Sequence, residues 1–380
     1  MMIPESTRRE RSNSLSVVRL LACVLHLCGC SLLLIERGPM RLLLGIAGLL
    51  TLCSLGHAQN LDIYFIDVEG GGATLIVTPE RESILIDSGW RRDDGRDAKR
   101  IAAVLKEQAG LNQIDFLVTT HFHRDHYGSV LRLSEMVPIK TFFDRGPIAF
   151  LEEDPQFQIL YTEYMMANKG DRQTLTPGDE VPIKKGRLPL KITCVAARGS
   201  LIQNEGTENP ECAQLKPNKK VLPDENAASV ALLVQLGKFD FFHGADLTWN
   251  IEGALVCPKN RIGRVDASLV NHHGLKISNN PVFLQALAPQ VTIMANGEEK
   301  GCDPEVAALL RSLPSVKASY QLHKDLKNKP QDNQPDEFIA NLTPEASCQG
   351  HWIRLRVAPT ASTFEVTNGR TGNTQSYPIQ

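Results

Sequence analysis

The sequence is short of net charge. Its 380 residues carry 41 Lys and Arg against 43 Asp and Glu, a formal −2 at neutral pH with a pI near 6.6. No long-range field of one sign is present to attract a polyanion, which argues against a general nucleic-acid binder. There is no short repeat and no low-complexity tract, so a repeat architecture is not expected. Cysteine is sparse beyond residue 58, where only Cys194, Cys212, Cys257, Cys302 and Cys348 occur. One or two disulfides fit an exported protein, the odd count leaves a free thiol, and no pairing can be assigned. What is abundant is apolar residues, at 42%, ample for a large core in one domain or two.

Residues 1–58 differ from the rest. MRLLLGIAGLLTLCSLGHAQ, from Met40, has a basic residue, an apolar run and a small-residue exit. It predicts a secretory signal cleaved before Gln59. Upstream, SVVRLLACVLHLCGCSLLLIE is interrupted by Arg19. Either it is an anchor or long signal, or Met40 is the true start and residues 1–39 are a gene-model extension. The second reading is preferred, because the Met40 segment is complete by itself. The expectation is an exported chain, periplasmic or secreted, with no stable span in its mature form, or membrane-anchored if residues 16–35 are retained. Residues 59–380 then carry 35 basic and 40 acidic residues, so strong general nucleic-acid affinity is not expected, although a local basic groove is compatible with that charge.

From residue 60, short Ile- and Val-rich runs predict strands: LDIYFIDV, ATLIVTP and ESILIDSG. DAKRIAAVLKEQAG predicts an amphipathic helix closed by Gly110. IDFLVTT predicts a buried strand, YGSVLRLSEMV a helix, TFFD a strand and FQILYTEYMMANKG a helix. LTPGDEVPI and LPLKITCVAA predict further strands. A second half repeats the alternation from ASVALLVQLG, and HWIRLRVAP with STFEVTN predicts a closing hairpin. Two polar insertions, 198–225 and 325–349, are long for connections within a domain and are expected to shape a pocket. Two βα halves predict a layered α/β/α sandwich, with one sheet packed on the other as an alternative.

The stretch THFHRDHYG places His121, His123, Asp125 and His126 within six residues at the end of a buried strand. All four are metal-binding types. His121 and His123 sit two apart in an extended segment and face one way, whereas Asp125 and His126 fall at a helix entrance, rotated away. That geometry predicts two neighbouring ions sharing one loop. Imidazole suits Zn, Fe and Ni, and a carboxylate adds a harder ligand.

Asp87 in ILIDSG, then HFHRDHYG, then Asp246 in HGADL, then VNHHG resemble the ordered motifs of the metallo-β-lactamase superfamily. The resemblance spans residues 60–325 and implies a single αββα sandwich over 59–380 with a metal centre, usually dinuclear. It implies His121 and His123 on the first ion, Asp125, His126 and His272 on the second, Asp246 bridging, and Asp87 supporting the loop from behind. Two divalent ions are implied, zinc first, with manganese or iron as alternatives. His273 is then a proton donor or a structural histidine, and His243 a structural one. His323, in SYQLHK, is a candidate active-site acid if it points to the cleft.

The sequence departs from the superfamily in one respect. No histidine lies between Tyr127 and Phe242, so a third imidazole for the first ion cannot come from there. Asn226, in ENAASVALLV, is the candidate ligand, with a turn or cap as the alternative. Its Asn-x-x-Ser placement, together with FIDVEGGGATLIV, resembles the hydrolase domain of competence-type DNA-uptake proteins. EGGG, Glu69 to Gly72, departs from that group, which carries an acidic residue after the glycines. Catalysis by hydroxide on the ions, oriented by Asp125 and with His273 or His323 as proton donor, is implied. Three functions remain open: a hydrolase of phosphodiester-type substrates, a hydrolase of lactones, lactams or esters on small molecules, and a non-catalytic metal-stabilised binding protein.

Overall fold

The computed structural model describes residues 60–380 apart from 187, 219–223 and 359–361. The expected signal region, 1–58, lies outside the described residues, as does part of the first insertion. Among the described residues no helix is long and apolar enough to cross a membrane.

Two large sheets carry the chain. The first contains β1 (Leu61–Phe65), β2 (Thr74–Val77), β3 (Ser83–Ile86), β4 (Ile114–Thr119), β5 (Ile139–Asp144) and the short β6 (Gln173–Thr174). The second contains β7 (Leu190–Ala197), β8 (Ser200–Leu201), β10 (Ala231–Leu236), β11 (Phe239–His243), β13 (Ala267–Leu269), β14 (Val291–Met294), β15 (Ala318–His323) and β16 (Ile339–Asn341), while β9 (Thr207–Glu208) and β12 (Lys259–Asn260) pair with each other. The chain then returns to the first sheet with β17 (Ile353–Val357), β18 (Thr363–Asn368) and β19 (Thr374–Pro378), β17 pairing antiparallel with β1. The expected hairpin is therefore present, extended by a third strand whose polar sequence, TQSYP, gave no apolar signal.

Alternation decides the layers. Ile63, Phe65, Ile84, Ile86 and Val118 of the first sheet face Ile192, Leu232, Val234, Phe241 and Ile293 of the second in one continuous core. Phe65 meets Phe241 edge-on, with ring centroids 5.6 Å apart. The opposite faces bury apolar side chains against helices. On the first sheet these are α1 (Arg96–Ala103), α2 (Arg124–Tyr127), α3 (Val130–Met136) and α4 (Phe157–Asn168). On the second they are α5 (Trp249–Val256), α6 (Pro281–Leu287) and α7 (Pro304–Ser312). The result is the αββα sandwich expected from the sequence.

LTPGDEVPI does not form the expected strand. Only an isolated bridge, Glu180 to Thr193, is made there. Pro177 and Pro182 lack the N–H groups a ladder needs, and this favours single contacts over a strand. The two insertions also hold more structure than their polarity suggests. A disulfide joins Cys212 to Cys257, and the second insertion contributes β16, which pairs parallel with β15.

Candidate metal centre

Strand direction gathers the site. β3, β4 and β5 run parallel, as do β11, β13 and β14. Asp87 follows β3, the His121–His126 segment follows β4, Asp246 follows β11, and His272 and His273 follow β13. All lie just beyond the carboxyl ends of parallel strands, where loops from neighbouring strands converge. The turns are tight. Asp87, Ala245, His272 and His273 all have positive φ, between 49° and 63°. For residues with a Cβ this is strained backbone, and it recurs at the turns after β3, β11 and β13.

Asp246 is the hub. Its Oδ2 lies 3.3 Å from Nε2 of both His126 and His273, 3.5 Å from that of His272 and 3.9 Å from that of His121. Asp125 Oδ2 is 3.2 Å from Nε2 of His126 and also of His273. Asp125, His126, Asp246 and His273 thus bring one donor atom each within 4.8 Å of one another, and all four side chains are buried.

On the other flank, His121 Nε2 is 3.2 Å from His123 Nδ1, which is 2.8 Å from Asn226 Oδ1. Asn226 Nδ2 donates to Asp224, so the amide presents its oxygen to the ring. Glu225 holds this arrangement. Its carboxylate accepts the Phe122 N–H at 2.9 Å and pairs with the buried Arg145 guanidinium. Breaking a buried pair of this kind costs about 3–5 kcal/mol, because one charge is left without compensation.

The structure places the two histidines of VNHHG differently from the expectation that His272 joins Asp125 and His126. His273 is the one within the compact group, and the φ values of this turn aim the adjacent rings apart. His273 Nδ1 donates to the Ala295 carbonyl at 2.9 Å, leaving Nε2 as a lone pair directed at Asp125 and Asp246. His272 Nδ1 lies 3.1 Å from Ser278 Oγ. Asp87 stands behind the loop. Its Oδ2 lies 2.7 Å from His126 Nδ1, and it accepts the Thr120 N–H and hydroxyl, both at 2.8 Å. A partner of this kind fixes the tautomer and orientation of a metal-binding imidazole. His243 contacts Thr74 Oγ1 at 3.3 Å between the two sheets. His323 is fully buried and faces Glu69, and none of its contacts reaches the Asp246 group.

The electrostatics follow from burial and proximity. Burial opposes the charged forms of Asp125 and Asp246, but Lys300 and His126 hold Asp125 well below the usual carboxylate range. His126, His273 and His272 do the same for Asp246. Burial also opposes charge on His126, yet Asp246, Asp125 and Asp87 keep its pKa well above that of ordinary histidine. His272 is pushed down to about 4, chiefly by burial, and His121 is pushed down by burial and by His126. Lys300 Nζ forms an ion pair with Asp125. Lys300, Glu225 and Arg145 lie outside the motifs legible in the sequence. For Glu225, adjacency to Asn226 was the one available signal.

Buried imidazoles and carboxylates with lone pairs converging on shared points are a donor set suited to zinc, iron or manganese. The residues present therefore fit divalent ions.

Residues 67–181 match the family model described as Metallo-beta-lactamase superfamily. That segment of the chain is similar to the superfamily's domain. No curated protein sequence matches the chain. Among solved structures, it is similar to CmlA, a diiron β-hydroxylase from Streptomyces venezuelae, at 12% identity and a TM-score of 0.41, over 70% of this chain and 53% of that one. It is similar to unliganded yeast PDE1 at 11% identity and a TM-score of 0.42, over 70% of this chain and 98% of that one. A metallo-β-lactamase HARLDQ-motif mutant from Cronobacter sakazakii aligns at 14% identity and a TM-score of 0.30, over 52% of this chain and 70% of that one. This chain spans about half the length of CmlA.

Proposed function

We propose that the protein is an exported, metal-dependent hydrolase of anionic, phosphodiester-type substrates, in the competence-type branch suggested by Asn226-x-x-Ser229. The observation that carries a two-ion reading is the position of Asp246 Oδ2, within 3.9 Å of four imidazole nitrogens on two flanks. His121 Nε2, His123 Nδ1 and Asn226 Oδ1 would hold one ion. Asp125, His126 and His273 would hold the other, with Asp246 shared between them. Divalent ions in such a site lower the pKa of water from ~15.7 to ~7 and so supply a nucleophile at neutral pH.

The remaining chemistry belongs to the chain. Asp87 keeps His126 in register. His272 lies beside Asp246, its Nε2 3.5 Å from Oδ2 and its Nδ1 on Ser278 Oγ, in position to orient that carboxylate. An anionic substrate is supported by the rim, where Arg92, Arg124 and Lys300 all pack on the Trp90 ring, with cation-to-centroid distances of 5.5, 5.9 and 4.9 Å. Arg92 and Lys300 also pair with Glu345 and Asp125, which leaves Arg124 as the cation of this group offered to an anion.

The test is elemental analysis of the purified protein, followed by a panel of bis-p-nitrophenyl phosphate, a lactone and nitrocefin. At least two metals per chain and turnover of the phosphodiester, the turnover abolished by Asp246→Ala, are expected. Turnover of the lactone or nitrocefin alone would move the assignment to a lactone, lactam or ester hydrolase. Fewer than one metal per chain with no turnover would leave a binding protein.

A further inference from the structure

A second group of metal-binding side chains lies apart from the first. Asp67 and Glu69 follow β1, His323 ends β15, and Cys348 comes from the insertion at 325–349. One donor atom from each lies within 4.8 Å of the others. No contact joins any of them to Asp246. The loop 67–72 runs between the two groups, and Gly72 donates its N–H to the Asp125 carbonyl at 3.0 Å.

The geometry is that of a site. Ligands 2.0–2.3 Å from a tetrahedral zinc are separated from one another by about 3.3–3.7 Å. His323 Nε2 is 3.4 Å from Glu69 Oε2, and Cys348 Sγ is 3.2 Å from Asp67 Oδ2. The first has the length of a tetrahedron edge, and the second, where the thiol donates to the carboxylate, is slightly shorter. Moreover, Glu69 Oε2 and His323 Nε2 are both buried and make no hydrogen bond. His323 is 0% exposed. Its Nδ1 donates to the Lys324 carbonyl at 2.8 Å, which aims Nε2 at the carboxylate. Two buried polar atoms that face each other without a hydrogen bond are a pair that a bound cation would satisfy. Glu69 is also held at a φ of 55°, a strained conformation for a side-chain-bearing residue.

The charge count agrees. Two carboxylates and a thiolate carry three negative charges. Arg100, 3.0 Å from Asp67 and 3.2 Å from Glu69, supplies one positive. A dication supplies the remaining two. In its absence burial, followed by the charge of Glu69, pushes the Asp67 carboxyl up to about 6, and burial pushes the Cys348 thiol well above its ordinary range.

We propose that Asp67, Glu69, His323 and Cys348 bind a single zinc ion, separate from the Asp246 centre, that staples the 325–349 insertion to the loop beneath that centre. The N, O and S donor set suits zinc over harder ions. The thiol proton leaves as the ion binds, so loading releases about one proton from Cys348. The ion is structural, because all four positions are taken by protein. The insertion already meets the loop's surroundings through Glu345, which pairs with Arg96, and the zinc adds a fixed point at its end.

The test is substitution of the whole protein with cobalt(II), because a thiolate on cobalt gives a near-ultraviolet charge-transfer absorption. Cys194 and Cys302 are buried outside both groups and Cys212 is oxidised with Cys257, so Cys348 is the one thiol among the described residues placed to give it. The band is expected in the wild type, absent in Cys348→Ser, and retained in Asp246→Ala, which separates this site from the proposed catalytic one. Zinc content should fall by one equivalent per chain in Cys348→Ser and in His323→Gln. A cobalt-loaded wild type without the band, or equal zinc content in wild type and both variants, overturns the site whatever becomes of the hydrolase reading.

Discussion

His123 Nδ1 lies 2.8 Å from the side-chain oxygen of Asn226. An amide thus stands beside an imidazole on the flank where the sequence offers no further histidine. Amide oxygen is a weaker and harder ligand than imidazole nitrogen for zinc, so this flank is the one expected to load last.

Substituting Asn226 should therefore change metal content selectively. Asn226→Ala is expected to lower occupancy of one ion while the other stays near full, and Asn226→His should tighten that ion. Equilibrium dialysis with elemental analysis measures both. Full two-ion loading of Asn226→Ala would exclude the ligand role.

The two histidines of the VNHHG turn should behave differently. His273→Ala removes a donor from the compact group and should weaken the second ion by more than the 10–100-fold typical of supporting residues. His272→Ala should keep both ions and instead slow turnover, because its ring orients the Asp246 carboxylate. Isothermal titration with zinc and steady-state kinetics separate the two. Equal metal loss in both variants would contradict the division of labour.

Gly72 is required by its surroundings. A Cβ there would lie 2.7 Å from His126 Nδ1 and 2.9 Å from Asp87 Oδ2. Gly72→Ala should wedge that pair apart and reduce affinity for the second ion about 10–100-fold, as loss of a supporting partner does elsewhere. Unchanged affinity in a folded Gly72→Ala protein would show that the pair does not need this contact.

Glu252 makes a pH prediction away from the ions. Its carboxylate accepts from the backbone N–H groups of Asn279 and Asn280 and from the Asn271 side chain, which fixes the turn carrying His272 and His273. Burial nevertheless pushes it up to about 7. A folded pKa above the unfolded value of ~4.3 means the folded state holds a proton that the unfolded chain has lost. Stability from this group is full below about pH 4 and declines as the pH rises to about 7. Glu252→Gln, which puts an NH₂ where an acceptor was, should be less stable at pH 5 by about 1–3 kcal/mol. It should also lose less stability than the wild type between pH 5 and 7.5. Urea unfolding at both pH values checks this, and parallel pH dependence would refute it.

Much of the fold was readable in order. The apolar runs of β1 to β5 and the 3.6-residue pattern of α1 and α4 are local signals, set by propensity and burial on one face. LTPGDEVPI misled because its apolar positions outweighed its prolines, which remove ladder donors. TQSYP was invisible because β19 is an edge strand whose outward residues are polar, and only pairing with β18 makes it a strand.

For the site, the sequence alone determined the chemistry. HFHRDH, Asp246 and the HHG pair are metal-binding residue types at the spacing such sites use, and the lack of a histidine between residues 127 and 242 pointed to Asn226. Tertiary structure decided which atoms converge. His272 and His273 are adjacent, and only the left-handed turn, with the Ala295 carbonyl and Ser278 hydroxyl behind the rings, sends His273 into the group. Lys300 and Asp125 are 175 residues apart in sequence, and Cys348 and Asp67 are 281 apart. No local pattern can report such contacts, because they are set by how the two sheets stack and where the long insertion folds back.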